Sequence, residues 1–185
     1  MSSVDLAVAA LQAGQVIAYP TEAVWGLGCD PWSEQAVLGL LRLKQRPVEK
    51  GVILIASDLE QVERYLEQLT SEQRDMVIAS WSDDVEQAST WLVPLTRDIP
   101  TWISGEHQQV AIRVTKHKQT QALCRAFGRP IVSTSANPSG QPAALDASMV
   151  RSYFGDQVFV LDGATSGAKQ PSVIRDVGTG KVLRG

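Results

Sequence analysis

Apolar residues recur along the chain in short blocks whose spacing alternates between helix-like and strand-like. Residues 4–13 carry apolar side chains at helical intervals and stop at Gly14, which suits the left-handed turn beyond a helix end. The block Val16-Ile17-Ala18-Tyr19 is short and continuously apolar, so it reads as a buried strand, stopped by Pro20. Ser33 opens a helix running to Leu43, with Ala36, Leu38, Leu40, Leu41 and Leu43 as its apolar surface. Residues 52–56, Val-Ile-Leu-Ile-Ala, make the clearest central strand. Ser57 with Glu60, and Thr70 with Gln73, stand at capping-box spacing and predict helices over 59–66 and 71–81. Strands follow at 90–93 and 109–114, then a helix at 119–127 closed by Gly128 and a strand at 131–134. A helix at 147–154, a strand at 158–161 and short strands at 173–175 and 182–183 complete the pattern.

This alternation predicts a single α/β domain over 1–185, built as one twisted, open sheet with flanking helices. The order is not a regular βαβ repeat, so the sheet is expected to be mixed. A chain of 185 residues buries enough surface to fold without a disulfide or metal. With 44% hydrophobic and 20% charged residues it is not a disordered chain. No apolar run approaches the ~18 residues of a membrane span. Residues 1–12 lack the basic start and apolar centre of a signal peptide, so the expected location is cytoplasmic. Cys29 and Cys124 form no CxxC and read as buried, reduced thiols. His107 and His117 are the only histidines, too few for a His-rich zinc site, and no metal-ligating residues are nominated. The net charge of −3 disfavours a broadly basic nucleic-acid binder but permits a local basic patch.

Four segments carry more polar chemistry than packing asks for. In residues 19–28, Tyr-Pro-Thr-Glu-Ala-Val-Trp-Gly-Leu-Gly, a buried strand runs into a hydroxyl, a carboxylate and two glycines. Strand ends in α/β sheets are where ligands bind; Thr21 could bond a small substrate and the glycines could admit a close approach. A helix cap or a plain turn explains the same spacing. Residues 44–51 hold three cations, Lys44, Arg46 and Lys50, between a helix and a central strand. They suit a polyphosphate, or else form a solvated loop that favours a helix C-terminus. Residues 132–140 set Ser133, Thr134, Ser135, Asn137 and Ser139 at a strand end before a Pro-Gly break, a pattern suited to an anion-binding nest. Arg113 interrupts an apolar strand, where a charge must face a ligand or pair with an acid such as Asp176.

Together these segments resemble the YrdC-like family in its short form. The matching motifs are PTEAVWGLG at 20–28, KQRP at 44–47 with Lys50, AIRVT at 111–115, STSAN at 133–137 and PSVIRD at 171–176. The resemblance implies a mixed sheet with a concave, positively charged face. It also implies a nucleotidyltransferase that joins L-threonine, bicarbonate or CO2, and ATP into threonylcarbamoyl-AMP and diphosphate. That product is the first intermediate of a modification at adenosine 37 of tRNA, and partner proteins would transfer the threonylcarbamoyl group. By this similarity Lys44 and Arg46 are catalytic and bind the ATP phosphates. Ser135, Asn137 and Arg184 contact the nucleotide. Thr21, Lys50, Arg113, Ser133 and Ser172 hold threonine. Mg2+ accompanies ATP, and no side chain acts as a covalent nucleophile.

The chain departs from the family where a Pro-Gly-Pro-Val-Thr segment is usual. Residues 82–90 read Ser-Asp-Asp-Val-Glu-Gln-Ala-Ser-Thr, and only Thr90 corresponds. Asp83, Asp84 and Glu86 would repel phosphates if they faced the site, so this loop either swings outward or weakens nucleotide binding. The ending Leu183-Arg184-Gly185 lacks the usual proline. Two other readings compete. One is a non-catalytic module gripping tRNA or double-stranded RNA through Lys44, Arg46, Lys50 and Lys116. The other is a carbamoyl-adenylate domain of the kind fused into hydrogenase-maturation proteins.

Overall fold

The helices form where local chemistry closes their ends. The computed structural model describes residues 2–82 and 87–184, the side chain of Arg184 excepted. Helix α1 (Ser3–Gln12) is opened by a reciprocal bond pair between Ser2 and Asp5. Ser33 caps α2 (Glu34–Lys44), and Gln45 ends it in the left-handed region at φ 52°. Thr70 and Gln73 form the expected capping box on α3 (Ser71–Ser80). After the short α4 (Thr101–Ser104), His117 caps α5 (Lys118–Phe127) by accepting from Thr120 N through Nδ1 at 3.3 Å. That bond leaves Nε2 to donate to Ala164 O at 2.9 Å. Burial lowers the His117 pKa, which keeps this neutral form in place. Asp146 caps α6 (Ala147–Phe154).

One predicted helix does not form. Residues 59–66 instead make successive three-residue turns, Val62 N to Leu59 O, Tyr65 N to Val62 O and Leu66 N to Glu63 O, with a 3-10 turn at Glu63–Tyr65. The buried side chains Val62 and Tyr65 are three residues apart, a spacing the tighter turn aligns on one side. Ser57 bonds Asp58 through its hydroxyl, and Gln61 rather than Glu60 receives the Ser57 N–H.

Nine strands form one mixed sheet among the described residues. They are β1 (Ile17–Pro20), β2 (Trp25–Gly28), β3 (Ile53–Ala56), β4 (Ser89–Pro94), β5 (Gln109–Val114), β6 (Ile131–Ser135), β7 (Phe159–Val160), β8 (Val173–Asp176) and β9 (Val182–Arg184). Their order is β7-β1-β2-β6-β3-β5-β4-β8-β9, with parallel pairs β1/β7, β3/β5 and β4/β8. Strand β6 changes partner midway: residues 131–133 pair with β3, and Thr134 and Ser135 with β2.

The two faces of this sheet differ. On one, Leu54, Ile112, Val132 and Trp91 pack with residues of α2, α3 and α6. On the other, α1 and α5 cover Ile17, Tyr19, Ile55 and Ile131. Side chains two residues apart share a face, so Ile53 and Arg113 look out on the same side as Ile55. Register then aligns Ser133, Ile53, Ala111 and Leu92 as a transverse row that α1 and α5 do not cover. A cleft lies over that row.

Candidate functional site

A cavity of about 510 Å³ opens over this row, within the size range of small-ligand sites. Its wall takes residues from segments that are distant in sequence. Thr21 and Glu22 come from the β1–β2 turn, Arg46 and Lys50 from the link before β3, Arg113 from β5, Ser133 and Ser135 from β6, and Ser172 from the approach to β8.

The β1–β2 turn is held at both ends by Thr21, whose N–H and hydroxyl donate to Val24 O at 3.1 and 2.7 Å. The strand that follows, β2, stands where a ligand-facing turn was expected. Its glycines answer to Tyr19 across the hairpin. A Cβ on Gly26 would lie 3.2 Å from the Tyr19 ring; on Gly28 it would lie 2.8 Å from the ring and run into the Val132 carbonyl oxygen. Close packing of an aromatic ring, not ligand approach, is therefore what requires glycine at 28.

The link after α2 is a 3-10 turn, Val48–Lys50. Arg46 clamps it by donating from Nη2 to Gly51 O at 3.0 Å and to Lys50 O at 3.2 Å. Gly51 has φ 59°, and a Cβ there would lie 2.8 Å from Ser104 O, so the turn lies directly against α4. Lys50 stays exposed at the rim.

Lys44 is only 5% exposed, and its ammonium is directed onto the hydroxyl-rich bend. It donates to Ser135 O at 2.5 Å, Asn137 O at 2.8 Å and Asn137 Oδ1 at 3.3 Å. These three bonds match its three N–H donors. Burial, with the neighbouring Arg46 charge adding to it, lowers its pKa from 10.5 to about 8. Neither Lys44 nor Asn137 lines the cavity; together they brace the bend that carries Ser135. The Asn137 amide donates onward to Gln141 O at 2.7 Å.

Arg113 does not pair with Asp176, which instead accepts from Gln109 at 3.0 Å. It forms a close ion pair with Glu22, whose other oxygen accepts from Thr115 Oγ1 and Lys116 N, both at 2.9 Å. Glu22 is 8% exposed and so lies among fixed donors rather than in water. Ser172 shares a buried hydroxyl–hydroxyl bond of 2.8 Å with Thr90.

Of the residues nominated from sequence, Thr21, Arg46, Lys50, Arg113, Ser133, Ser135 and Ser172 meet in this one cavity. Lys44 and Asn137 adjoin it through Ser135. The backbone of Arg184 pairs with Ile174, and its side chain lies outside the described residues, as do Asp83, Asp84 and Glu86. Glu22 and Thr90 were not nominated. The unexplained charge of Arg113 signalled that an acid was needed, but not which one.

The geometry defines an α/β protein whose open sheet face carries a cation- and hydroxyl-lined cavity. A family model for Sua5/YciO/YrdC, described as "Telomere recombination", matches residues 9–185, and the chain belongs to that family. It is 51% identical to a threonylcarbamoyl-AMP synthase of Acinetobacter baumannii, over 99% of this chain and 98% of that protein. It is 50% identical to one of Cellvibrio japonicus, over 98% of this chain and 94% of that protein. Among solved structures it matches P. abyssi Sua5 complexed with L-threonine at a TM-score of 0.88 and 26% identity. That match covers the whole of this chain but only 54% of the Sua5 chain, so the present chain spans about half of it.

Proposed function

We propose that this protein is a threonylcarbamoyl-AMP synthase. The observation that carries the reading is the meeting, in one cavity, of Arg46 and Ser135 with Thr21, Lys50, Arg113, Ser133 and Ser172. The first group suits a polyphosphate and the second a small hydroxy amino acid. The threonine amine loses a proton and captures CO2, giving a carbamate. A carbamate oxygen forms a bond to the α-phosphorus of ATP, the bond from that phosphorus to the bridging oxygen breaks, and diphosphate leaves with the electron pair.

Arg113 and Lys50 hold the threonine carboxylate, with Thr21, Ser133 and Ser172 around the amino acid. Arg46 grips phosphate oxygens, and Ser135 lies beside the reacting phosphate. Lys44 braces Ser135 and Asn137 and adds its charge to the field at the nucleotide. Arg184, at the end of β9, is assigned to the nucleotide by similarity to the family. Catalysis rests on position and electrostatics, without a covalent intermediate. Mg2+ would arrive bound to the triphosphate and would neutralise part of its charge; among the described residues there is no group of three or more His, Cys, Asp or Glu placed to hold a metal ion. Among the described residues no helix is long and apolar enough to cross a membrane. We place the enzyme in the cytoplasm, where partner proteins move the threonylcarbamoyl group to tRNA.

The test is diphosphate release from ATP, Mg2+ and bicarbonate with and without L-threonine. Release that depends on threonine is expected. No release under any condition, alongside tight and salt-sensitive RNA binding, would refute the reading and favour an RNA-binding module.

A further inference from the structure

We propose that Glu22 is a positioning residue that fixes the Arg113 guanidinium for the carboxylate of the amino-acid substrate. The role rests on the proposed function, because it takes Arg113 as the carboxylate-binding group.

Glu22 joins three walls of the cavity. Its side chain binds the end of β5 through Arg113, Thr115 Oγ1 and Lys116 N. Its backbone oxygen accepts from Ala168 N at 2.9 Å, and the adjacent Thr21 O accepts from Ser166 N at 3.3 Å. The segment thus tied leads to Ser172. Both Glu22 and Arg113 lie in the cavity wall, and both are less than a tenth exposed. A buried guanidinium without a fixed counter-charge would be costly and would rotate among acceptors. Both oxygens of the Glu22 carboxylate are used, one by Arg113 and one by Thr115 and Lys116, so the acid cannot swing away from the arginine. Thr115 Oγ1 is itself fixed, accepting from His117 N at 3.1 Å. The arginine is therefore aimed before substrate arrives, which lowers the ordering cost of binding.

The prediction separates Glu22 from a merely structural acid. Glu22→Gln keeps the shape and removes the charge. With threonine varied at saturating ATP, its KM for threonine should rise roughly tenfold, while the KM for ATP stays within about twofold. In an Arg113→Met background the same Glu22→Gln change should alter threonine KM less than about twofold, because Glu22 acts through Arg113. An unchanged threonine KM in Glu22→Gln, equal rises for both substrates, or the same rise in both backgrounds would overturn the role. If Glu22→Gln does not fold, Thr115→Val removes a single bond to the carboxylate. It should raise threonine KM at least about threefold, because the bond lost is a charge-assisted one that acts on the arginine only through the carboxylate, and no change there would overturn the role equally. Wild-type release that ignores threonine would sink the functional reading itself. Threonine-dependent wild-type release with an unaffected Glu22→Gln would sink only the positioning role.

Discussion

Raising the pH through 8 should weaken nucleotide binding while leaving the fold at least as stable. The perturbation acts on Lys44, whose pKa burial lowers from 10.5 to about 8. With that value about ten chains carry the charge for each that does not at pH 7, and the ratio inverts at pH 9. The neutral amine has two N–H donors for three oxygens, Ser135 O, Asn137 O and Asn137 Oδ1. The brace on the bend loses a donor and the site loses a cation. If the neutral form binds negligibly, ATP affinity should fall up to about tenfold between pH 7 and 9. Stability should move the other way. The folded pKa lies below the unfolded one, so between about 8 and 10.5 the unfolded chain binds more protons and folding gains as pH rises. By pH 9.5 this group alone adds about 2 kcal/mol relative to pH 7. Titration calorimetry of Mg-ATP in the absence of threonine, from pH 6.5 to 9.5, keeps the substrate amine out of the measurement. Urea unfolding at the same pH values supplies the second axis. Flat affinity across this range would refute the reasoning. So would a loss of affinity that tracks a loss of stability.

Other predictions follow from single contacts. Gly28→Ala drives a methyl into the Val132 carbonyl and the Tyr19 ring. It should cost about 1–3 kcal/mol and lower the melting temperature by roughly 3–10 °C in calorimetry, whereas an unchanged transition would contradict the packing described. Thr90→Val removes the buried bond to Ser172, and a loss of about 1 kcal/mol raises the threonine KM roughly fivefold while leaving the ATP KM alone. Kinetics in which ATP binding moves instead would assign the pair to the nucleotide. Cys29 and Cys124 are wholly buried, and burial raises both thiols, Cys124 to about 12. Iodoacetamide should leave native activity and mass unchanged and label both only in denaturant.

Much of the fold could be read from local signals. The capping residues Ser33, Thr70 and Gly128, and the apolar blocks of β1, β3 and β6, need only their neighbours to declare themselves. Strand β2 was not legible because half of its residues are glycines, and their reason lies in Tyr19 on another strand. The 59–66 segment has acceptable helix residues, but burial of Val62 and Tyr65 selects tighter turns. In the site, residue types allowed a polyphosphate and a small polar substrate, the amino acid came only from the family resemblance, and neither told which contacts are internal. Lys44 reads as a phosphate ligand until its ammonium is seen among carbonyls. Glu22 and Arg113 are separated by 91 positions, and only the sheet brings them together.

The cavity wall also has a timetable. Ser172 and β8 reach the sheet by pairing alongside β4, more than eighty positions earlier in the chain. During synthesis, β1 to β6 can be assembled while that side of the cleft is still missing. On the proposed function, a ribosome-bound chain that has yet to release residues 171–176 would have Arg46 and Ser135 in place but lack Ser172 in the wall assigned to threonine. On that reading the wall is completed only when the last strands pair, so incomplete chains would lack part of the cavity.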